Sequence, residues 1–183
     1  MCKSLRILAE RISQTEIFNT VYQLYADKLK RPDVLKNAHT FLMLPDFFQF
    51  LLTGVKKSEY TNATSTQLVN PESKDWDTKL IKQLGLPDEI FLPLNPPGTY
   101  LGNLKPDIRR EVGFDCRVIM CSSHDTASAV MAMPKQGDGI YLSSGTWSLM
   151  GVELDFALIN ERAREKNFTN EGGCQPSRFS VTG

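Results

Sequence analysis

"CRVIMCSSHDTASAVMAM", residues 116–133, changes its grammar halfway along. Its first part is a short apolar run of β-type residues, and its last part, from Thr126 on, is made of helix formers. This is a strand–turn–helix unit, the building block of an α/β fold. The turn puts His124 and Asp125 where the strand ends and the helix begins. Ligands of open α/β sheets bind beyond the carboxyl ends of the strands. Asp125 then has two readings. It can be a helix N-cap, its carboxylate accepting from an early N–H, or a general base near a substrate hydroxyl. A carboxylate with an ordinary pKa of about 3.9 is ionised at neutral pH, so the second role needs no unusual environment. The two roles are compatible, because one oxygen can cap while the other faces a substrate. His124 is one of two histidines in the chain, and its place beside Asp125 allows either substrate contact or a structural role. His39 has no acidic neighbour and reads as structural.

Downstream, "PKQGDG" (134–139) is a strong breaker and marks the expected domain boundary, dividing residues 1–133 from 134–183. After it, "IYLSSGTWSLMGVEL" (140–154) reads as two strands around a tight turn. An ordinary hairpin accounts for Gly145. It does not account for the small hydroxyl residues Ser143, Ser144, Thr146 and Ser148 around the tip. A phosphate site would use such a turn, since glycine admits close approach, exposed N–H groups form an anion nest and hydroxyls add donors. Both readings stay open on the residues alone.

The first half reads as short helices. "FNTVYQLYADKL" spaces Val21, Leu24, Tyr25 and Leu29 along one helical face, and "PDVLKNA" restarts a helix with proline in its first turn. "LPDFFQFLLTG" repeats that pattern, with Gly54 as its stop and Phe47, Phe48 and Phe50 expected in the core. "SEYTNATSTQLVNP" is polar and reads as a loop or a short capped helix. "DWDTKLIKQLG" is amphipathic, with Trp76, Leu80, Ile81 and Leu84 on one side and Gly85 at its end. "LPDEIFLPLNPPGTYLGNL" is proline-rich, an irregular connection with short extended pieces, and "KPDIRREVG" is a further short helix. "FALINERAREKN" is expected to be partly helical. "FTNEGGCQPSRFSVTG" reads as a hairpin with a Gly-Gly corner.

Composition narrows the function classes. The chain has 183 residues, 41% of them hydrophobic, and 21 basic residues balance 21 acidic ones. A neutral balance argues against a general nucleic-acid binder. Charges interrupt the N-terminal "MCKSLRILAERIS", so it does not read as a signal peptide, and no stretch has the length of a membrane span. A cytoplasmic chain with no membrane partner is expected. Cys2, Cys116, Cys121 and Cys174 form no CxxC pair, so zinc and a disulfide framework are not expected. Cys116 and Cys121, in one apolar stretch, read as buried thiols. Asn62 and Asn167 match the glycosylation pattern, which a cytoplasmic chain leaves unused.

"SHDTASAV" followed some twenty residues later by "YLSSGTWSLMGVE" resembles the FGGY carbohydrate kinases, and within them the rhamnulokinase subgroup. "FNTVYQLYA", "LPDFFQFLLTG", "EYTNATSTQL", "PPGTYLGNL" and "NFTNEGG" occur in the family's order, from about residue 18 to 175. The resemblance implies an actin-like, ribonuclease-H-like fold whose two lobes close over a cleft. It implies transfer of the γ-phosphoryl of ATP, with Mg²⁺, to the 1-hydroxyl of L-rhamnulose. Asp125 matches the family's catalytic base, and His124, Asp125 and Thr126 its sugar-contacting triplet. Gly145 and Thr146 match the turn that meets the nucleotide phosphates. The physics agrees: phosphoryl transfer needs alignment and charge stabilisation, and lobe closure excludes competing water.

The resemblance is to a central piece. The family's phosphate-gripping first hairpin has no counterpart before "FNTVYQLYA", and its adenosine-enclosing segments have none before Gly183. A family glycine that touches the sugar falls near Ile12. The expectation is therefore the remainder of the N-terminal, sugar-binding lobe in residues 1–133 and the beginning of the C-terminal, nucleotide-binding lobe in 134–183. A fragment of this kind is expected to be inactive alone. The alternatives are a non-catalytic remnant or binding module of the same fold, or a kinase for another sugar or polyol.

Overall fold

The computed structural model describes residues 18–134, 139–146, 148–174 and 178–183. The readings of residues 1–17, Ile12 and Cys2 included, and of positions 135–138 in the "PKQGDG" breaker lie outside the described residues.

Helix α1 (Thr20–Lys30) gives way to α2 (Pro32–Lys36), which has proline in its first turn. Val21 is fully buried, whereas Leu29, in the same spacing, is 66% exposed. Helix α3 (Leu44–Thr53) begins with proline and stops at Gly54. Its aromatic face departs from expectation: Phe47 and Phe48 are exposed, and Phe50 is only half-buried. The buried residue of this helix is Asp46, 1% exposed. Each residue turns a helix by about 100°, so an inward Asp46 sends Phe48 to the opposite side. The inward position goes to a carboxylate because the backbone N–H of Glu59 needs an acceptor there, 3.3 Å from each Asp46 oxygen.

The polar stretch that follows forms β1 (Ser58–Glu59) and the short helix α4 (Tyr60–Thr64). Despite its polarity the segment is buried, with Glu59, Thr61 and Thr66 each at 0% exposure. Local bonds make this possible: Thr64 Oγ1 donates to the Thr61 carbonyl and Thr66 Oγ1 to that of Ala63, both at 2.6 Å. Strands β2 (Val69–Asn70) and β3 (Asp75–Trp76) pair antiparallel, and α5 (Thr78–Leu84) follows. Asp77 caps α5, accepting from Leu80 N at 2.9 Å, and Gly85 ends it with φ +63°, a left-handed conformation that favours glycine. Val21, Ala63, Leu68, Ile81 and Leu84 form the core. The rings of Phe41, Trp76 and Phe91 pack against it with centroids 4.8 to 6.3 Å apart.

Strand β4 (Leu94–Asn95) pairs parallel with β1. Strands β5 (Tyr100–Asn103) and β6 (Arg117–Ile119) pair antiparallel on either side of α6 (Pro106–Val112). The expected strand before the His-Asp turn is thus β6, shorter than the apolar run around it. Cys116 and Cys121 are exposed rather than buried. Only Met120 of that run is buried, at 1%, because β6 has one partner strand and lies at the edge of its two-stranded sheet. Helix α7 (Asp125–Ala132) completes the strand–turn–helix unit.

The remaining strands build a four-stranded antiparallel sheet in the order β7-β8-β10-β9. They are β7 (Ile140–Ser144), β8 (Ser148–Leu154), β9 (Thr169–Gly172) and β10 (Phe179–Thr182), with the short helix α8 (Glu161–Glu165) before β9. Helix α7 packs on β7 and α4 on β9. The second contact needs Gly172, since a Cβ there would run into the Tyr60 ring. Gly172 N donates to Thr64 Oγ1 at 3.0 Å. Among the described residues no helix is long and apolar enough to cross a membrane.

Candidate active site

The turn Ser122–His124 is built on a buried carboxylate. Glu59 caps α4 with both oxygens: Oε1 accepts from Thr61 N at 2.7 Å, and Oε2 accepts from Asn62 N at 3.1 Å and Thr61 Oγ1 at 2.6 Å. The same Oε2 accepts from Ser123 N at 3.1 Å and Ser123 Oγ at 2.9 Å. Five hydrogen bonds thus converge on one carboxylate. Thr61 extends the bracket, its Oγ1 lying 3.1 Å from Ser122 Oγ and 3.4 Å from His124 N. Asp46 supports Glu59 from behind. Burial pushes the Asp46 carboxyl up to about 6; the bond from Glu59 N opposes that rise, and the Glu59 charge adds to it.

This bracket delivers His124, Asp125 and Thr126 at the start of α7. The helix cap is His124, not Asp125: His124 Nδ1 accepts from Ala127 N at 3.3 Å. Asp125 is the first helical residue and is exposed. Its Oδ1 accepts from Thr126 N at 2.7 Å, which leaves the carboxylate at the surface. Thr126 is buried, with Oγ1 3.5 Å from Asp125 Oδ1. The capping role falls to histidine because its ring nitrogen reaches the third N–H, while the shorter aspartate side chain bonds next door.

A second carboxylate approaches from the four-stranded sheet. Glu171 of β9 puts Oε2 3.5 Å from His124 Nδ1. That oxygen is buried and accepts no hydrogen bond among the described residues. Burial raises the Glu171 carboxyl above its ordinary range; His124 opposes the shift and the Asp125 charge adds to it. Cys174 Sγ lies 2.9 Å from Ser122 Oγ and 3.3 Å from the Ala127 carbonyl, against the same turn. A cavity of about 220 Å³ opens behind α7, lined by Val130, Met131, Cys174, Arg178 and Ser180 among others; neither Asp125 nor Thr146 lines it.

The hairpin tip stands apart. Ser144 pairs with Ser148 at the mouth of the hairpin, and Gly145 and Thr146 follow Ser144 at its tip. Gly145 and Thr146 are exposed, and nothing lies within 4 Å of a Cβ placed on Gly145. Ser144 Oγ and Ser148 Oγ lie 3.0 Å apart across the mouth, which leaves each oxygen with unused capacity. The structure therefore gathers His124, Asp125 and Thr126 into one place and leaves Gly145 and Thr146 at another; no hydrogen bond or ion pair joins the two groups among the described residues. His39 is exposed and takes no part.

Sequence reasoning missed Glu59, Thr61 and Glu171. Glutamate is not among the preferred N-caps, so "EYTN" does not advertise its cap, and the further partner Ser123 lies 64 positions on. Glu171 looks like one polar residue in a hairpin until the sheet brings it to α7.

Comparison with known proteins identifies the family and the fold. A family model for the N-terminal domain of the FGGY family of carbohydrate kinases matches residues 8–132. The chain is 51% identical to a rhamnulokinase of Oceanobacillus iheyensis over 92% of its length, covering 36% of that relative. It is 54% identical to a rhamnulokinase of Halalkalibacterium halodurans, also over 92% of its length and 36% of the relative. The chain thus spans about a third of the length of the curated relatives it matches. Among solved structures, a ligand-bound xylulose kinase from Lactobacillus acidophilus superposes with a TM-score of 0.84 at 19% identity, over 98% of this chain and 36% of that one. A gluconate kinase from the same organism gives 0.82 at 20% identity, with the same coverage. At these identities the structural likeness carries the fold: a mixed α/β part of the sugar-kinase architecture.

Proposed function

The chain belongs to the FGGY family of carbohydrate kinases, and from that membership we propose that the polypeptide carrying it phosphorylates a ketose, L-rhamnulose, at the 1-hydroxyl, using ATP and Mg²⁺. The identity of 51–54% to two rhamnulokinases supports this choice of sugar. The observation that carries the mechanism is Asp125, an exposed carboxylate on the first turn of α7 whose approach is tied to Glu59 by the two bonds from Ser123.

In this reading Asp125 accepts the proton of the attacking hydroxyl, with His124 and Thr126 holding the sugar beside it. A carboxylate on a locked turn loses no alignment while the reaction proceeds. Gly145 and Thr146 receive the phosphates of ATP; the open space at Gly145 and the exposed hydroxyl of Thr146 suit an anion. When bound, Mg²⁺ would neutralise charge on the triphosphate. Its proposed attachment is the phosphates of the nucleotide.

Residues 1–133 are proposed to belong to the sugar-binding lobe and 134–183 to the nucleotide-binding lobe. The end of the family match at residue 132 supports that division. So does the change of sheet between β6 and β7. Because the relatives are about three times longer, full turnover is proposed to require a polypeptide of their length, and the 183-residue chain alone is expected to be inactive. The test is ADP release from ATP and Mg²⁺ with L-rhamnulose, and with other ketoses and polyols for comparison, using a polypeptide of the relatives' length that contains these residues. Release that depends on another sugar and not on L-rhamnulose would reject the substrate. Release unaffected by Asp125→Asn would reject the mechanism.

A further inference from the structure

The proposed function leaves "NFTNEGG" without a task, yet its strand, β9, packs on α4 and also meets the turn before α7. Toward α4 the contact is polar at both ends. Gln67 Nε2 donates to Thr169 Oγ1 at 3.3 Å, and Gly172 N donates to Thr64 Oγ1 at 3.0 Å. Thr64 directs its own hydrogen to the Thr61 carbonyl at 2.6 Å, so a lone pair is what it offers β9. At Gly172 the contact is also steric. A Cβ there would lie 2.7 Å from Cζ and 2.8 Å from Oη of Tyr60. Tyr60 is buried, so packed neighbours hold the ring in place.

Toward the turn, the residues flanking the Gly-Gly corner make the contacts. Glu171 lies beside the His124 ring, with Oε2 3.5 Å from Nδ1. Gly173 N donates to the Arg178 carbonyl at 3.0 Å, which keeps the chain on the sheet past the end of β9. Cys174 then places Sγ 2.9 Å from Ser122 Oγ and 3.3 Å from the Ala127 carbonyl. Ser122 and Ala127 bound the segment that contains Asp125. The bonds from Glu59 and Thr61 reach Ser122, Ser123 and His124 and go no further along it. The α7 side of the segment is thus held from β9, not from α4.

We propose that Gly172 is a positioning residue for Asp125: having no side chain, it lets β9 lie against Tyr60 at the depth at which Glu171 and Cys174 reach the turn and the first turn of α7. The consequence for turnover rests on the proposed sugar kinase reading; the placement of the turn does not. The fit is steric and needs no particular charge on Glu171 or His124. Carbon atoms in contact sit about 3.5–4.0 Å apart, so a methyl group at 172 would move β9 outward by about an ångström. Both contacts would withdraw with it, and the segment would be held from α4 alone. A displacement of about an ångström in a reacting group can cost about a hundredfold in rate.

The experiment sets Gly172→Ala against Gly172→Ala/Tyr60→Leu in a polypeptide of the relatives' length. Leucine lacks the outer ring atoms that the new methyl would strike. Amide hydrogen exchange at Ala127 and Ser128, whose N–H groups both bond to His124, reads the turn without any substrate; Ile81 in α5 is the reference. Gly172→Ala should speed exchange at the first two by about tenfold, the scale of one lost hydrogen bond, and leave Ile81 unchanged. Its kcat should fall by about a hundredfold with the KM for ATP within about twofold, and adding Tyr60→Leu should recover most of that loss. Should Gly172→Ala not fold, Thr64→Val takes its place: it removes the acceptor of Gly172 N at constant shape and should lower kcat by about three- to tenfold. A lower unfolding midpoint with kcat and the exchange at Ala127 unchanged would mean a merely structural role and overturn the inference. So would a loss that Tyr60→Leu fails to relieve. If exchange responds as expected but L-rhamnulose is not a substrate, the placement of the turn stands and the functional reading fails. If turnover depends on Asp125 while exchange and kcat ignore Gly172, the functional reading stands and the inference fails.

Discussion

Glu59 and Ser123 are 64 positions apart and joined twice, Ser123 N and Oγ both donating to Glu59 Oε2 at 3.1 and 2.9 Å. Glu59 caps one short helix and, with the same oxygen, fixes the turn that opens another. The cap of α4 and the approach to Asp125 are therefore a single structure. Glu59→Ala would leave the Ser123 and α4 donors unpartnered inside the protein, at about 1–3 kcal/mol for an unsatisfied buried group. The expected loss is about 3–5 kcal/mol, the scale for removing one member of a buried charged network. Glu59→Gln should cost less but still destabilise, because its NH₂ must face donors. Urea unfolding checks both, and a double-mutant cycle with Ser123→Ala should return a coupling of roughly 0.5–3 kcal/mol. Zero coupling would mean that the two elements are held together by something else.

Asp125→Asn should lower turnover by roughly 10²–10⁴-fold, the usual contribution of a positioned acid or base. Its surface position predicts little effect on folding, so the thermal midpoint should stay close to that of the wild type. Affinity for ATP should also be unchanged. Steady-state kinetics on a polypeptide of the relatives' length separates these terms, and a defect confined to ATP binding would count against the base role.

Thr146→Val is the converse test. Thr146 is exposed at the hairpin tip, so the substitution removes a hydroxyl without opening a cavity. The KM for ATP should rise by about tenfold, equivalent to a lost hydrogen bond of ~1.5 kcal/mol to a charged group, while the sugar KM holds. Movement of the sugar KM alone would detach the Ser-Ser-Gly-Thr turn from phosphate binding.

Asp46 predicts a pH dependence. Its folded-state pKa of about 6 lies above its ordinary 3.8, so the native state binds more protons than the unfolded state between those values. The sign follows from linkage: this residue's contribution is fully present below about pH 4 and is lost as pH rises through about 6. The loss is on the order of 3 kcal/mol by the conversion of about 1.4 kcal/mol per unit. Asp46→Asn cannot ionise and should flatten stability across that window. Unfolding midpoints at a series of pH values, wild type against variant, check the prediction; parallel curves would refute it.

The sequence alone was enough for most of the element boundaries. Proline at the start of α2 and α3 and glycine after α3, α5 and α6 are local signals, because they act through their own φ angle and N–H. The strand–turn–helix at residues 116–133 and the hairpin at 140–154 were legible from their hydrophobic patterns, whereas the grouping of His124, Asp125 and Thr126 came from the family resemblance. Burial was not local. Phe47 and Phe48 look like core and lie exposed, while Glu59, Thr61 and Asp46 look like surface and are buried. A side chain is hidden by what packs over it and by whether its polar atoms find partners, and both depend on residues dozens of positions away. That His124, rather than Asp125, caps α7 is a local matter of side-chain reach that only the coordinates fix. Tertiary structure alone decided that Glu59 ties α4 to the turn and that Glu171 meets the imidazole, since each is a distance of a few ångströms between segments the chain keeps far apart.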